Sequence, residues 1–219
     1  EDINKLDIFS FLQKGDLTCH TVPGLFTFIT SMGTGGIVFK WFVENLLNRD
    51  IAYISSSLLY KKNKVFFMPR LLEVHDSIPM SGFLSLDLED DVNTLYSSIV
   101  ESLVFEMKDR ANLLENTDVK LPSVIRVSGG PSVNSVYNQL KSDLFEKIVE
   151  IPKNKEATLF GAALLGGIGG GVYKRYEEAF EETYKVEKIY NPHKNIYLTD
   201  KYLKYKMLKK RYDKIYQIF

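Results

Sequence analysis

Residues 124–145 read VIRVSGGPSVNSVYNQLKSDLF: a β-branched run, two glycines, then apolar residues at helical spacing. The pattern predicts a strand, a tight turn and a helix, with Pro131 and Ser132 as the stop and start signals between them. Such a junction suits an anion, because free N–H groups and the helix dipole both face the gap. Glycines also occur there for steric reasons alone. No segment satisfies the phosphate-loop pattern G-x-x-x-x-G-K-[ST]. A dinucleotide fingerprint is only partly met: Glu150 stands at the distance expected of its acidic residue, but Val133 and Asn134 occupy the place of the third glycine. Asn134 lies one helical turn beyond Gly130, where its amide can offer a donor and an acceptor to a planar heterocycle, or else cap the helix.

Outward from this unit, strands and helices alternate. LFTFITSM is β-branched and aromatic, GTGG punctuates it, and IVFKWFVENLL takes helical spacing. KVFFMPR reads as a short strand closed by Pro69, and an extended piece is expected around residues 83–86. The segment DDVNTLYSSIVESLVFEMKDRANLL carries Leu95, Ile99, Val100, Leu103 and Val104 as the stripe of a long amphipathic helix that should pack on a sheet. KIVEI is a strand ended by Pro152. EATLFGAALLGGIGG is small and apolar on nearly every side, which predicts a fully buried helix. YKRYEEAFEETYKV predicts a further helix, YNPHKN a loop, and a last helix begins near Thr199. Its basic run KYLKYKMLKKRYDK predicts a solvated face with a buried stripe. The alternation argues an α/β or mixed α+β fold.

The chain has 219 residues, 28 basic and 28 acidic side chains, and 45% apolar residues. That composition supports a sizeable core and excludes the broad basic footprint of a nucleic-acid binder. A single cysteine, Cys19, precludes an internal disulfide and fits a reducing cytoplasm. The apolar runs are too short for a membrane span. Glu73, His75 and Asp76 form the one acidic and histidine cluster, and adjacent residues rarely converge on a metal. The sequence opens at Glu1 without an initiator methionine, as expected of a piece of a longer polypeptide.

VSGGPSVNSVYNQLKSDLF, followed by IPKNKEATLFGAALLGGIGGGVYK, closely resembles the adenosine-binding region of the FGGY carbohydrate kinases, in family order and spacing. CHTVPG (19–24), GTGGIVFKWFVENLL, GFLSLDLEDDVNTLYSSIVESLVFEMKD and the tail from YNPHKN to IYQIF extend the resemblance over nearly the whole chain. Xylulokinase-like and autoinducer-2-kinase-like members are resembled about equally. The loop MPRLLEVHDSIPMSG departs from the Gly-Glu-Arg pattern of many members. The resemblance implies a ribonuclease-H-like (actin-like ATPase) domain, a mixed sheet flanked by helices, covering residues 1–219 as the C-terminal, nucleotide-binding domain. It implies that the sugar-binding domain with the catalytic aspartate is absent, so no catalytic residue is expected in this chain and the isolated domain is expected to be inactive. Gly129, Gly130 and Asn134 match the family's adenosine residues, Gly36 a glycine near the phosphates, and Lys40 stands where some members carry a glutamine. ATP is the implied cofactor, with Mg²⁺ held largely by the phosphates and the other domain; a sugar or polyol is the implied acceptor, and a homodimer a possible assembly. The competing expectation is a non-catalytic actin-like nucleotide-binding or assembly module.

Overall fold

A computed structural model describes residues 15–71, 80–115 and 121–216. Its β structure is divided among three small sheets. Strand β1 (Asp16–Cys19), which the sequence pattern did not reveal, pairs antiparallel with β2 (Phe26–Ile29). Between them Gly24 takes φ +79°, a conformation glycine adopts without steric cost. The GTGG turn leads into α1 (Ile37–Trp41), which runs on through a π turn (Phe42–Leu46) and buries Val38, Phe39, Phe42 and Val43. A one-turn helix, α2 (Tyr53–Ser57), follows. Strands β3 (Phe66–Met68) and β4 (Gly82–Leu84) form the second antiparallel pair, with the Phe67 and Phe83 rings 4.8 Å apart, and β3 stops before Pro69 as expected.

Helix α3 (Val92–Glu115) starts at Asp91, whose carboxylate accepts from the Thr94 N–H at 2.9 Å. Ile99, Val100, Leu103 and Val104 of the expected stripe are fully buried and Leu95 partly so. The burial reaches further round the helix than an amphipathic stripe would. Ser97, Ser98, Ser102 and Glu101 are buried too, and the three serine hydroxyls donate to carbonyls of their own helix. This helix packs on β3 and on the helix Ser135–Phe145, and the main core lies among these, α1 and the helix Ile196–Tyr216.

The opening stretch forms β5 (Val124–Arg126), a 3₁₀ turn (Gly130–Val133) and α4 (Ser135–Phe145); β6 (Ile148–Pro152) then lies parallel to β5, and β7 (Val186–Tyr190) antiparallel to β6. The cap of α4 is Asn134 rather than Ser132, whose hydroxyl instead turns back to the Gly129 carbonyl at 2.6 Å. Helix α5 (Ala157–Gly169) precedes α6 (Tyr176–Thr183), and α7 (Ile196–Tyr216) starts earlier than Thr199, at an Asn195 side chain that accepts from the Leu198 N–H.

Two expectations need correction. The helix predicted from Tyr173 to Val186 ends at Thr183, because the free edge of β6 captures Val186–Tyr190 as a strand, a long-range pairing no local pattern reports. Helix α5 is not buried: none of its residues is, and Leu159 is 70% exposed. A side chain added at Gly161, Gly166 or Gly169 would meet nothing within 4 Å, so the described residues supply no backbone close to these glycines. No helix among the described residues is long and apolar enough to cross a membrane. Glu73, His75 and Asp76 lie outside the described residues.

Candidate nucleotide cleft

The glycine turn, α1 and α2 enclose a cleft of about 530 Å³ that brings together Gly36, Lys40, Gly130 and Asn134, four residues distant in sequence. Gly129 adjoins it. The two turn glycines serve different ends. Gly129 has φ +71°, so its glycine is required by the backbone. Gly130 has no such requirement, and a Cβ placed on it would meet nothing within 4 Å: open space lies where its side chain would be. At Gly36 an added Cβ would touch Pro131 at an ordinary 3.8 Å.

The turn spends many of its own N–H groups. Gly129 N donates to Lys155 O at 2.9 Å, Ser132 N to Gly129 O, and Asn134 N to Pro131 O. What the turn offers a ligand is therefore a bare glycine surface more than a nest of amides. The walls are apolar, with Ile37, Ile51, Ile54 and Val133 among them, and Lys40 is the one charged side chain among the described residues that line the cleft. Its ammonium lies 3.9 Å from Glu44 and is 65% exposed, an ion pair too loose and too wet to hold it.

Asn134 is engaged at both ends. Its Oδ1 accepts from the Tyr137 N–H at 3.0 Å, capping α4, and its Nδ2 donates to the Tyr96 hydroxyl at 3.1 Å. One amide hydrogen and one Oδ1 lone pair remain. Tyr96 is the lining residue that sequence reasoning missed: one helical turn before Ile99, it reads as part of the α3 core stripe. It is 2% exposed, and burial raises its pKa.

The dinucleotide reading of Glu150 fails on geometry. Its carboxylate lies 3.4 Å from Arg126 Nε and 3.2 Å from the Tyr184 hydroxyl, within the β5–β6–β7 sheet, and it does not line the cleft. The described residues contain no group of three His, Cys, Asp or Glu side chains able to hold a metal. A second cavity, of about 740 Å³, separates the β1–β2 hairpin from β5 and is lined by Phe28, Arg110, Val124, Arg126, Lys141 and Lys147 among others.

A family model described as the C-terminal domain of the FGGY family of carbohydrate kinases matches residues 17–170. Glycerol kinase from Aquifex aeolicus (strain VF5) is 26% identical over 171 residues, 74% of this chain and 34% of that protein. The crystal structure of xylulose kinase from Rhodospirillum rubrum aligns with a TM-score of 0.79 at 17% identity, over 93% of this chain and 43% of its own. That of Plasmodium falciparum glycerol kinase with ADP aligns with a TM-score of 0.70 at 18% identity, over 86% of this chain and 38% of its own. The fold is thus the actin-like α/β fold of these sugar kinases, as the sequence led one to expect. The chain spans about a third of the length of the curated relatives it matches.

Proposed function

Because the chain belongs to the FGGY family of carbohydrate kinases, we propose that it is the nucleotide-binding half of an ATP-dependent kinase acting on a sugar or polyol. The observation that carries this reading is the space over Gly130: a glycine that neither the backbone nor packing demands, on the floor of an apolar cleft with one lysine in its lining. A flat base fits against such a floor, where any Cβ would intrude. In this reading Gly129 sets the turn, Gly130 leaves room for the base, Asn134 contacts it, and Gly36 and Lys40 face the phosphates.

ATP would supply the phosphoryl group. The described residues that line the cleft include no carboxylate, so Mg²⁺ would arrive on the phosphates and take any protein ligand from elsewhere in the enzyme. The aspartate that accepts the hydroxyl proton and the residues that choose the acceptor belong, on the same reading, to the N-terminal domain. A cytoplasmic location accords with the free, exposed Cys19. Self-association of the chain accords with the exposed apolar residues of α5.

Titration calorimetry at millimolar ADP tests the proposal. Wild-type chain should bind ADP, and Gly130→Val should lose at least tenfold in affinity while melting close to the wild type, since its Cβ meets no protein atom within 4 Å and φ is not positive there. Equal binding by both proteins, or none by the wild type, would dispose of the cleft as a nucleotide seat.

A further inference from the structure

The orientation of the Asn134 amide determines what its neighbour can do. Backbone N–H groups only donate, so the atom facing Tyr137 N must be Oδ1, and the atom facing Tyr96 must then be Nδ2. The Tyr96 oxygen is consequently an acceptor in that contact, and its own hydrogen must point elsewhere. It makes no hydrogen bond to an acceptor among the described residues, although Tyr96 is 2% exposed and lines the cleft. A buried hydroxyl with an unspent hydrogen is costly unless something arrives to accept it.

We propose that Tyr96 is the base-selecting residue of the cleft: its hydroxyl, aimed by Asn134, donates to an unprotonated ring nitrogen of the bound base. This rests on the nucleotide reading above and deepens it. Asn134 becomes a positioning residue, its amide divided between the helix cap and the tyrosine. The ligand must place a bare sp² nitrogen against the hydroxyl, as an adenine ring does at N1, N3 or N7, and a base carrying C–H at that position is disfavoured because the donor stays buried and unpaired.

The test is a coupling measurement on the full 219-residue chain with ADP and its 1-deaza, 3-deaza and 7-deaza analogues, in which one ring nitrogen becomes C–H. Tyr96→Phe keeps the ring and its packing on Phe39, 6.2 Å away between centroids, so its melting temperature should stay near that of the wild type. It should bind ADP roughly 5- to 10-fold more weakly. One of the three analogues should lose a similar factor with the wild type and nothing further with Tyr96→Phe. Asn134→Asp separates aiming from capping: the new carboxylate still caps α4, but it accepts the tyrosine hydrogen, so ADP affinity should fall as it does in Tyr96→Phe with the fold intact. Equal ADP binding by Tyr96→Phe and wild type, or analogue penalties that simply add to the mutant's, would overturn the inference. If ADP binds, Gly130→Val abolishes binding and Tyr96→Phe changes nothing, this inference alone fails; if the wild type binds no ADP, the nucleotide reading fails and takes this one with it.

Discussion

The Lys141 ammonium, 2% exposed on α4, lies 3.9 Å from the centre of the Tyr137 ring and 3.3 Å from Asn138 Oδ1, and no carboxylate among the described residues forms an ion pair with it. Arg110, Arg126 and Lys147 line the same cavity. Burial lowers its pKa to about 7. The unfolded lysine titrates near 10.5, so between that pH and about 7 the unfolded chain binds a proton that the native chain refuses. Stability therefore falls as pH drops through this window, and the slope vanishes once the native amine also protonates. Lys141→Met is expected to raise stability at pH 7 by about 2–4 kcal/mol and to gain much less near pH 10. Urea melts of both proteins at the two pH values check this; an equal gain at both would show that the amine's charge is not the cause. At Asn134 the sequence left a base contact and a helix cap as alternatives. The cap is present, and the amide hydrogen given to Tyr96 could not have been read locally, because the two residues meet only when α3 packs beside the turn.

Helices α3 and α7 show what a charge pattern hides. The basic run of α7 does bury Tyr202 and Tyr205, continuing a stripe from Leu198, but Lys201 is buried with them and its face is not merely solvated. Glu101 accepts from Lys201 Nζ at 2.5 Å and from the Tyr60 and Tyr197 hydroxyls at 2.8 Å each, while Lys201 also donates to the Asn63 carbonyl and side chain. Two turns on, Lys209 spans Glu106 and Asp109, and the Tyr205 and Tyr202 hydroxyls donate to the same two carboxylates. Burial pushes the Glu101 pKa up and that of Lys201 down, opposed by their mutual attraction. A set of donors converging on one carboxylate favours its ionised form, so the pair is an ion pair whose worth depends on both members. Lys201→Met should destabilise the chain by about 3–5 kcal/mol by stranding the carboxylate, and adding Glu101→Gln should recover part of that loss. Guanidinium melts of the two single mutants and the double mutant measure it; strictly additive losses would mean that the residues do not act as a pair.

Across the whole molecule, α5 leaves Leu159 and Leu165 exposed, and the chain spans about a third of the length of its curated relatives. Among the described residues, the lining of the proposed nucleotide cleft has one lysine and no carboxylate, so no carboxylate of that lining can accept a hydroxyl proton. The chain alone is therefore expected to release no ADP from ATP in response to ketoses, polyols or sugar acids, and a polypeptide extended by the N-terminal domain is expected to do so. Sugar-dependent ADP release by the 219-residue chain above a protein-free control would contradict this.

What the sequence determined by itself was local. Val124–Phe145 specified strand, turn and helix through β-branching, a glycine at positive φ and helical spacing; the α3 stripe and the stop at Pro69 were legible for the same reason, since each depends on residues within a turn or two. Tertiary structure decided the rest. It made Val186–Tyr190 a strand by offering the edge of β6, buried Lys201 by placing Glu101 opposite it, left α5 at most half-buried, and divided the Asn134 amide between its own helix and Tyr96. In each case the outcome depends on whether a partner distant along the chain is present, because burial and hydrogen-bond satisfaction are properties of neighbours in space.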